Sequence, residues 1–155
     1  MGIEGIGARV LRKEDKRFIT GKGRYTDDMS VPGMKHAHFV RSPHAHAEIK
    51  KIETKRALAM PGVIAVLTGK ELKADGIGNI ICGWMIHSKD GSPMKMGAWS
   101  PLATDTVRYV GDAIVIVVAD TKSQARDAAE AVEITYKVKK AVVSAVDALK
   151  AGAPQ

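Results

Sequence analysis

Hydrophobic and polar positions first fall into a regular pattern at Met34. Ala37, Phe39 and Arg41 alternate with His36, His38 and Val40, which is the two-residue period of a strand. Ser42-Pro43 breaks that strand, because proline has no N–H to give to a ladder. A second strand is predicted over 47–54, with Ile49 and Ile52 as its apolar members. Thr54 is placed to cap a short helix that runs through Met60 and stops at Pro61-Gly62. A third strand follows at 63–67, and the spacing of Thr68 and Glu71 is that of a capping box opening another short helix. The strongest strand is predicted over 107–119, where 113–119 reads Ala-Ile-Val-Ile-Val-Val-Ala. A run that is apolar on both faces suits a central strand covered on both sides. Thr121 and Gln124 repeat the capping-box spacing, and Ala125, Ala128, Ala129 and Val132 then share one helical face. A strand at 133–138 and a short helix at 145–150, with Gly152 just past its end, complete the pattern.

Two stretches have no period. Residues 1–22 mix glycine, charge and isolated apolar side chains, and are expected to form an extended arm. Asp27-Asp28 and Val31-Pro32-Gly33 carry turn chemistry. Residues 75–101 are rich in Gly and Met and hold both tryptophans, and they read as one long loop. Loops of that length inside a compact domain are usually functional or disordered.

Composition narrows the function classes. A chain of 155 residues, 45% hydrophobic and 26% charged, suits one globular domain. The net charge of +7 permits an acidic partner. However, the basic residues are dispersed: Lys50-Lys51, Lys137 and Lys139-Lys140 alternate with apolar residues or acids. Only 5% of residues are aromatic, too few for a base-stacking platform, so these lysines read as solvated strand faces and no nucleic-acid partner is expected. Cys82 is the only cysteine, which excludes an intrachain disulfide and a Cys-based zinc site. The longest apolar run, 113–119, is far below the roughly 20 residues needed to span a bilayer. No basic segment followed by an apolar one opens the chain, so a soluble, cytoplasmic protein is expected.

His36, His38, His44 and His46 form two His-x-His pairs, and residues two apart on a strand share a face. With only Glu48 nearby to add a ligand, they are read as shaping the turn after Pro43 and bonding to backbone, not as a metal site. No G-x-G-x-x-G, phosphate loop or G-x-S-x-G occurs. Asp27-Asp28 is read as a cap or turn, and Cys82 as a small hydrophobe. Trp84, Met85, Met94, Met96 and Trp99 gather in one loop. They are either a satellite core or a surface awaiting a partner or substrate. The residues alone describe a mixed α/β domain with no catalytic, cofactor-binding or metal-ligating set of its own.

Five ordered stretches resemble a known family. They are Phe18-Ile19-Thr20-Gly21-Lys22-Gly23-Arg24-Tyr25-Thr26-Asp27-Asp28; Pro32-Gly33-Met34 with Phe39-Val40-Arg41-Ser42-Pro43-His44-Ala45-His46-Ala47; and Pro61-Gly62-Val63-Ile64-Ala65-Val66-Leu67-Thr68-Gly69. The others are Val107-Arg108-Tyr109-Val110-Gly111-Asp112 running into Val117-Val118-Ala119, and 125–132 with Ile134-Thr135-Tyr136, Ala141-Val142-Val143 and Asp147-Ala148-Leu149. In this order they resemble the start of the large, molybdenum-binding subunit of the xanthine dehydrogenase, aldehyde oxidase and carbon monoxide dehydrogenase family.

The resemblance implies an α+β fold, the α/β-hammerhead, with a mixed sheet and flanking helices over 1–155 as a single N-terminal domain of a longer chain. It implies that the whole enzyme is an oxidoreductase using molybdenum on molybdopterin in its dinucleotide form, with FAD and 2Fe-2S clusters. The pterin-binding segments and the catalytic glutamate would lie beyond Gln155, so the chain alone is expected to be inactive and to hold none of these groups. The implied partners are the remainder of the large subunit, an iron–sulfur subunit and an FAD subunit. The domain would shape the substrate entrance and dock those subunits. The other reading is a free-standing interaction module that assembles with a separately encoded catalytic remainder.

The resemblance also gives the loop 80–99 a role in lining the funnel to the molybdenum centre. In this chain that loop is expected to be mobile, disordered, or packed against a second copy as a homodimer through Trp84, Met85 and Trp99. Two departures stand out. Asp112 is followed by Ala113 where the family commonly has Pro, and Lys139-Lys140 replace Leu-Pro, which changes the surface offered to a neighbouring domain there.

Overall fold

The computed structural model describes residues 6–7 and 11–154. The chain divides into two compact units, Met1–Met34 and Lys35–Gln155. Part of the arm expected at 1–22, residues 1–5 and 8–10, lies outside the described residues. The rest of it is not extended. Helix α1 spans Asp15–Ile19, and an ion pair from Arg12 to Asp15 (3.1 Å) braces its first turn. Its end is a Schellman stop: Lys22 N–H donates to Arg17 O (2.9 Å), Gly21 N–H donates to Phe18 O (3.1 Å), and Gly21 sits at φ +68°. Gly23 then lies against the Phe18 ring, where a Cβ would come within 2.4 Å of Cδ1. Phe18 stacks on Tyr25 with centroids 5.3 Å apart. The glycines that suggested an arm are a helix stop and a ring contact, and five helical residues are too few to print a period. Asp28 caps a 3-10 turn at Thr26–Asp28 by accepting from Tyr25 N–H (2.9 Å), as expected of that aspartate pair.

In the larger unit the strands are β1 (His36–Arg41), β2 (Ala47–Glu53), β3 (Val63–Thr68), β4 (Thr106–Val107), β5 (Ala113–Ala119) and β6 (Glu133–Val138). The helices are α2 (Lys55–Leu58), α3 (Gly69–Ala74), α4 (Lys122–Glu130) and α5 (Ala145–Ala148). The expected mixed sheet is resolved into two antiparallel three-stranded sheets, ordered β1-β5-β3 and β4-β2-β6. The cause lies in the stretch predicted as one strand over 107–119. It breaks at Arg108–Asp112, where Gly111 takes φ +91°, so β4 and β5 belong to different sheets.

β5 is central, as its composition requires. Val115, Val117 and Ala119 are fully buried on the face that α4 covers. Ala125, Ala128 and Ala129 let that helix approach closely, and all three are buried. The opposite face is covered less completely than expected. Ile114 is buried, but Ile116 and Val118 are only half-buried, and Phe39, opposite Ile116, is exposed.

The capping box at Thr68 forms as predicted, with Glu71 accepting from Thr68 N–H (2.8 Å) and from its hydroxyl. The Thr68 hydroxyl holds the Glu71 carboxyl below its usual range. At α4 the Thr121 hydroxyl accepts from Gln124 N–H (3.2 Å) and donates to Gln124 Oε1 (2.9 Å). Thr54 precedes α2 without a side-chain cap, because its own backbone is already helical at φ −109°, ψ −12°. That helix ends at Leu58, two residues before the expected stop. Gly62, at φ +77°, turns the chain back into β3, and its carbonyl accepts from Asp120 N–H (2.9 Å).

Gly62→Ala is expected to cost more than about 1 kcal/mol, since alanine is strained at that φ. Ile114→Ala is expected to cost about 2–5 kcal/mol, while Ile64→Ala, at a half-exposed position, stays within about 0.5 kcal/mol. Urea unfolding midpoints at constant m-value measure all three.

Candidate functional site

The candidate site is the loop between α3 and β4. It has more structure than its composition suggested. Ile80 N–H donates to Trp99 O (2.8 Å) and closes the loop at its base. Inside it, His87 bridges Pro93, Ser88 N–H donates to Ser92 O (2.9 Å), and Met94 N–H donates to Ile86 O (3.1 Å). These bonds make a small hairpin around Asp90-Gly91, with Gly91 at φ +82°. The Asp90 carboxylate accepts from Ser92 N–H (3.0 Å) and from its hydroxyl (2.7 Å). The Ser92 hydroxyl and amide hold that carboxyl below the ordinary aspartate range. The sequence carried the signal, since Asp-Gly is a strong hairpin dipeptide. It was masked by flanking Met and Pro residues that do not alternate.

The five side chains singled out in this loop do not form a satellite core. Trp84 is 80% exposed and Trp99 57%. Met85 and Met96 are exposed, and Met94 is half-buried. Ile81 and Ile86 are exposed beside them. Cys82 is exposed too, with its thiol donating to Trp84 O (3.2 Å), so it does not pack as a small hydrophobe. The structure does not bring the five to one point. Trp99 lines a cavity of about 180 Å³ with Asn79, Thr104, Asp105, Arg108, Tyr109 and Asp112, whereas Trp84 and the methionines lie outside it. Sequence reasoning did not find Asp105 and Asp112 there.

His36 and His38 lie in β1, opposite Ala119 and Val117, whereas His44 and His46 sit by the crossing between the sheets. His46 Nδ1 lies 2.9 Å from Lys140 O, to which it donates. His44 N–H donates to Ser42 Oγ (3.0 Å), and its ring meets the Tyr136 ring edge-on at 4.9 Å. Burial pushes the Tyr136 hydroxyl above its ordinary value. Among the described residues, no three His, Cys, Asp or Glu side chains converge on one point.

Residues 20–140 match the aldehyde oxidase and xanthine dehydrogenase a/b hammerhead domain. The chain belongs to that family. This hammerhead chain is 42% identical over 155 residues to the carbon monoxide dehydrogenase large chain of Hydrogenophaga pseudoflava, covering 99% of itself and 18% of that protein. It is 42% identical over 127 residues to the nicotine 6-hydroxylase large subunit of Paenarthrobacter nicotinovorans, covering 82% of itself and 15% of the relative. Among solved structures, quinoline 2-oxidoreductase from Pseudomonas putida 86 matches with a TM-score of 0.80 at 35% identity, over 91% of this chain and 17% of that one. The hammerhead chain thus spans less than a fifth of the length of these relatives.

The hammerhead residues do not fit the family's redox groups. A 2Fe-2S cluster needs about four thiolate or imidazole ligands. The single Cys82 and the dispersed histidines cannot supply them. Among the described residues, no glycine-rich turn opens a helix after a strand to cradle a pterin or flavin phosphate.

The hairpin gives a pH test with a fixed sign. A carboxyl held below its unfolded value stabilises the hairpin above that value and loses the contribution as pH falls through the folded one. The Ser92 amide resonance is therefore expected to titrate with a midpoint below 3.8, the ordinary aspartate value. The titration should vanish in Asp90→Asn, and a midpoint above 3.8 would contradict the geometry.

Proposed function

We propose that this hammerhead chain serves as part of the large subunit of a molybdenum-dependent hydroxylase or dehydrogenase of the carbon monoxide dehydrogenase or aldehyde dehydrogenase kind. The observation that carries the proposal is the 42% identity to a carbon monoxide dehydrogenase large chain, sustained over 99% of this chain. In the whole enzyme, molybdopterin, FAD and 2Fe-2S clusters are held by other segments and subunits. The work of this domain is spatial, walling the approach to the substrate site and meeting its neighbours. The loop 80–99 is suited to that work. Its ends are tied by the Ile80–Trp99 bond, while Trp84 and Ile81 stand out from it into solvent and Trp99 is more than half exposed. A polarizable, apolar lip on a pinned loop excludes water and tolerates varied small substrates. No helix among the described residues is long and apolar enough to cross a membrane.

A chimera tests this. The matching segment of the Hydrogenophaga pseudoflava large chain is replaced by this chain, and carbon monoxide oxidation is followed with a dye acceptor. The expected outcome is an assembled, active complex in which Trp84→Ala and Trp99→Ala raise KM more than they lower kcat. In the chain alone each change should move stability by less than about 0.5 kcal/mol. Failure to assemble would count against the large-subunit role. Losses of about 3–5 kcal/mol from both substitutions would count against the lip.

A further inference from the structure

The small hollow beside Trp99 holds a buried acid. Asp112, which lines it, is 7% exposed, and among the described residues it is the only buried ionisable side chain. Its Oδ2 accepts from Arg108 N–H (3.1 Å). Among the described residues Oδ1 has no hydrogen-bond partner, yet it is not sealed from solvent. The hollow, of about 180 Å³, is the space it opens to. A second carboxylate, Asp105, lines the same hollow, and only its Oδ1 is engaged, by the Thr104 hydroxyl (3.0 Å).

These two acids differ from the others of the larger unit. Glu48, Glu53, Asp120, Glu130, Glu133 and Asp147 each have a lysine or arginine within ion-pair distance. Glu71 and Asp90 are held by hydroxyl and amide groups. Asp75 and Asp127 are exposed, and neither lines the hollow. Among the described residues, Asp105 and Asp112 have no cation within ion-pair distance, and they share one concavity. Arg108 lines the hollow too, but its Nη1 donates to Thr106 O (3.2 Å) and it pairs with neither acid. Two acids against one cation leave the lining negative. A buried carboxylate needs a cation or a full set of hydrogen bonds to offset its lost hydration. To Asp112 the chain supplies one bond, from Arg108 N–H.

We propose that this hollow binds a primary alkylammonium group, carried by a small free amine or by the end of a lysine side chain. An ammonium has three N–H groups to give, and Asp112, Asp105 and the Asn79 amide are acceptors on the lining. Trp99 and Tyr109 line it as well. Aromatic faces attract an ammonium and cover its alkyl stem. The volume lies below the roughly 300 Å³ at which drug-sized sites begin, so it suits a group of a few heavy atoms. Calcium is a poorer occupant, because it takes about six oxygen ligands or more. Among the described residues no three acidic, histidine or cysteine side chains converge on one point. The site does not rest on the role proposed for the loop 80–99, from which it takes only Ala98 and Trp99.

The probe is propylammonium chloride, titrated at constant ionic strength into the isotope-labelled 155-residue chain. It should give saturable shifts at the amides of Asp105, Tyr109 and Asp112 and at the Trp99 indole N–H. Asp105→Asn should weaken the Kd about threefold, and Asp112→Asn about thirtyfold. Arg108→Gln removes the like charge and should tighten binding about threefold. Asp105 and Arg108 are exposed, so these two variants keep the test decisive if Asp112→Asn unfolds. Neutral propanol should shift nothing at the same concentrations. Nα-acetyl-lysine N-methylamide separates the two sources. Binding tighter than that of propylammonium assigns the site to a lysine of a neighbouring polypeptide, and weaker binding assigns it to a free amine. Shifts that never saturate, or equal shifts from propanol or sodium chloride, would overturn the proposal. So would a Kd unchanged in both Asp105→Asn and Arg108→Gln.

Discussion

The fold turns on one reciprocal backbone pair. Ser42 N–H donates to Asp112 O and Gly111 N–H donates to Ser42 O, both at 2.8 Å. At this point two separate stretches of chain leave the first sheet for the second: β1 toward β2, and, in the reverse direction, β4 into β5. Backbone groups that leave a ladder need new partners if they are buried, and the two crossings supply them to each other. Around the pair, Arg41 Nη1 donates to Gly111 O (2.9 Å), and the buried Asp112 carboxylate accepts from Arg108 N–H (3.1 Å). Gly111 must hold φ +91°, which L side chains rarely adopt. Ala113 starts β5, and its carbonyl accepts from Ala103 N–H at 2.7 Å.

The crossing adjoins the candidate loop. The chain between α3 and β4 runs outside both sheets until β4, only two residues long, pairs with β2. The turn that follows β4 carries Arg108, Tyr109 and Val110 outward between two hollows, the small one shared with Trp99 and the larger one shared with Lys139 and Val143. A change at Gly111 would therefore act on both hollows at once, although it lines neither.

Local physics was legible in the sequence and long-range physics was not. The Thr68–Glu71 cap, the alanine stripe of α4 and the apolar run of β5 each need only near neighbours to be understood, and each stands where its residues placed it. The break at 108–112 was hidden because Tyr109 and Val110 continue a strand's composition through a turn. Gly111 alone marks the turn, and a single glycine inside a strand pattern also fits a bulge. The five-residue helix at Asp15–Ile19 fell below the length at which a period can be seen. The exposure of Trp84 and Trp99 was left open by composition, because burial of a loop side chain depends on what the rest of the chain brings to it. The hammerhead family was legible because its motifs preserve order and spacing even where their local structure is not obvious.

The distribution of large side chains explains why those surfaces matter. The largest fully buried side chains are Leu102, Ile114, Val107, Val115 and Val117, and the rest of the buried apolar core is alanine. The bulky apolar groups that would deepen a core, both tryptophans, Phe39, Ile81 and Leu149, are exposed instead. Burial of apolar area stabilises by about 25 cal/mol per Å², and aromatic residues carry the largest areas of all. A small core of Ala and Val therefore holds the sheets together, while much of the apolar area this sequence could still bury lies where another surface must cover it.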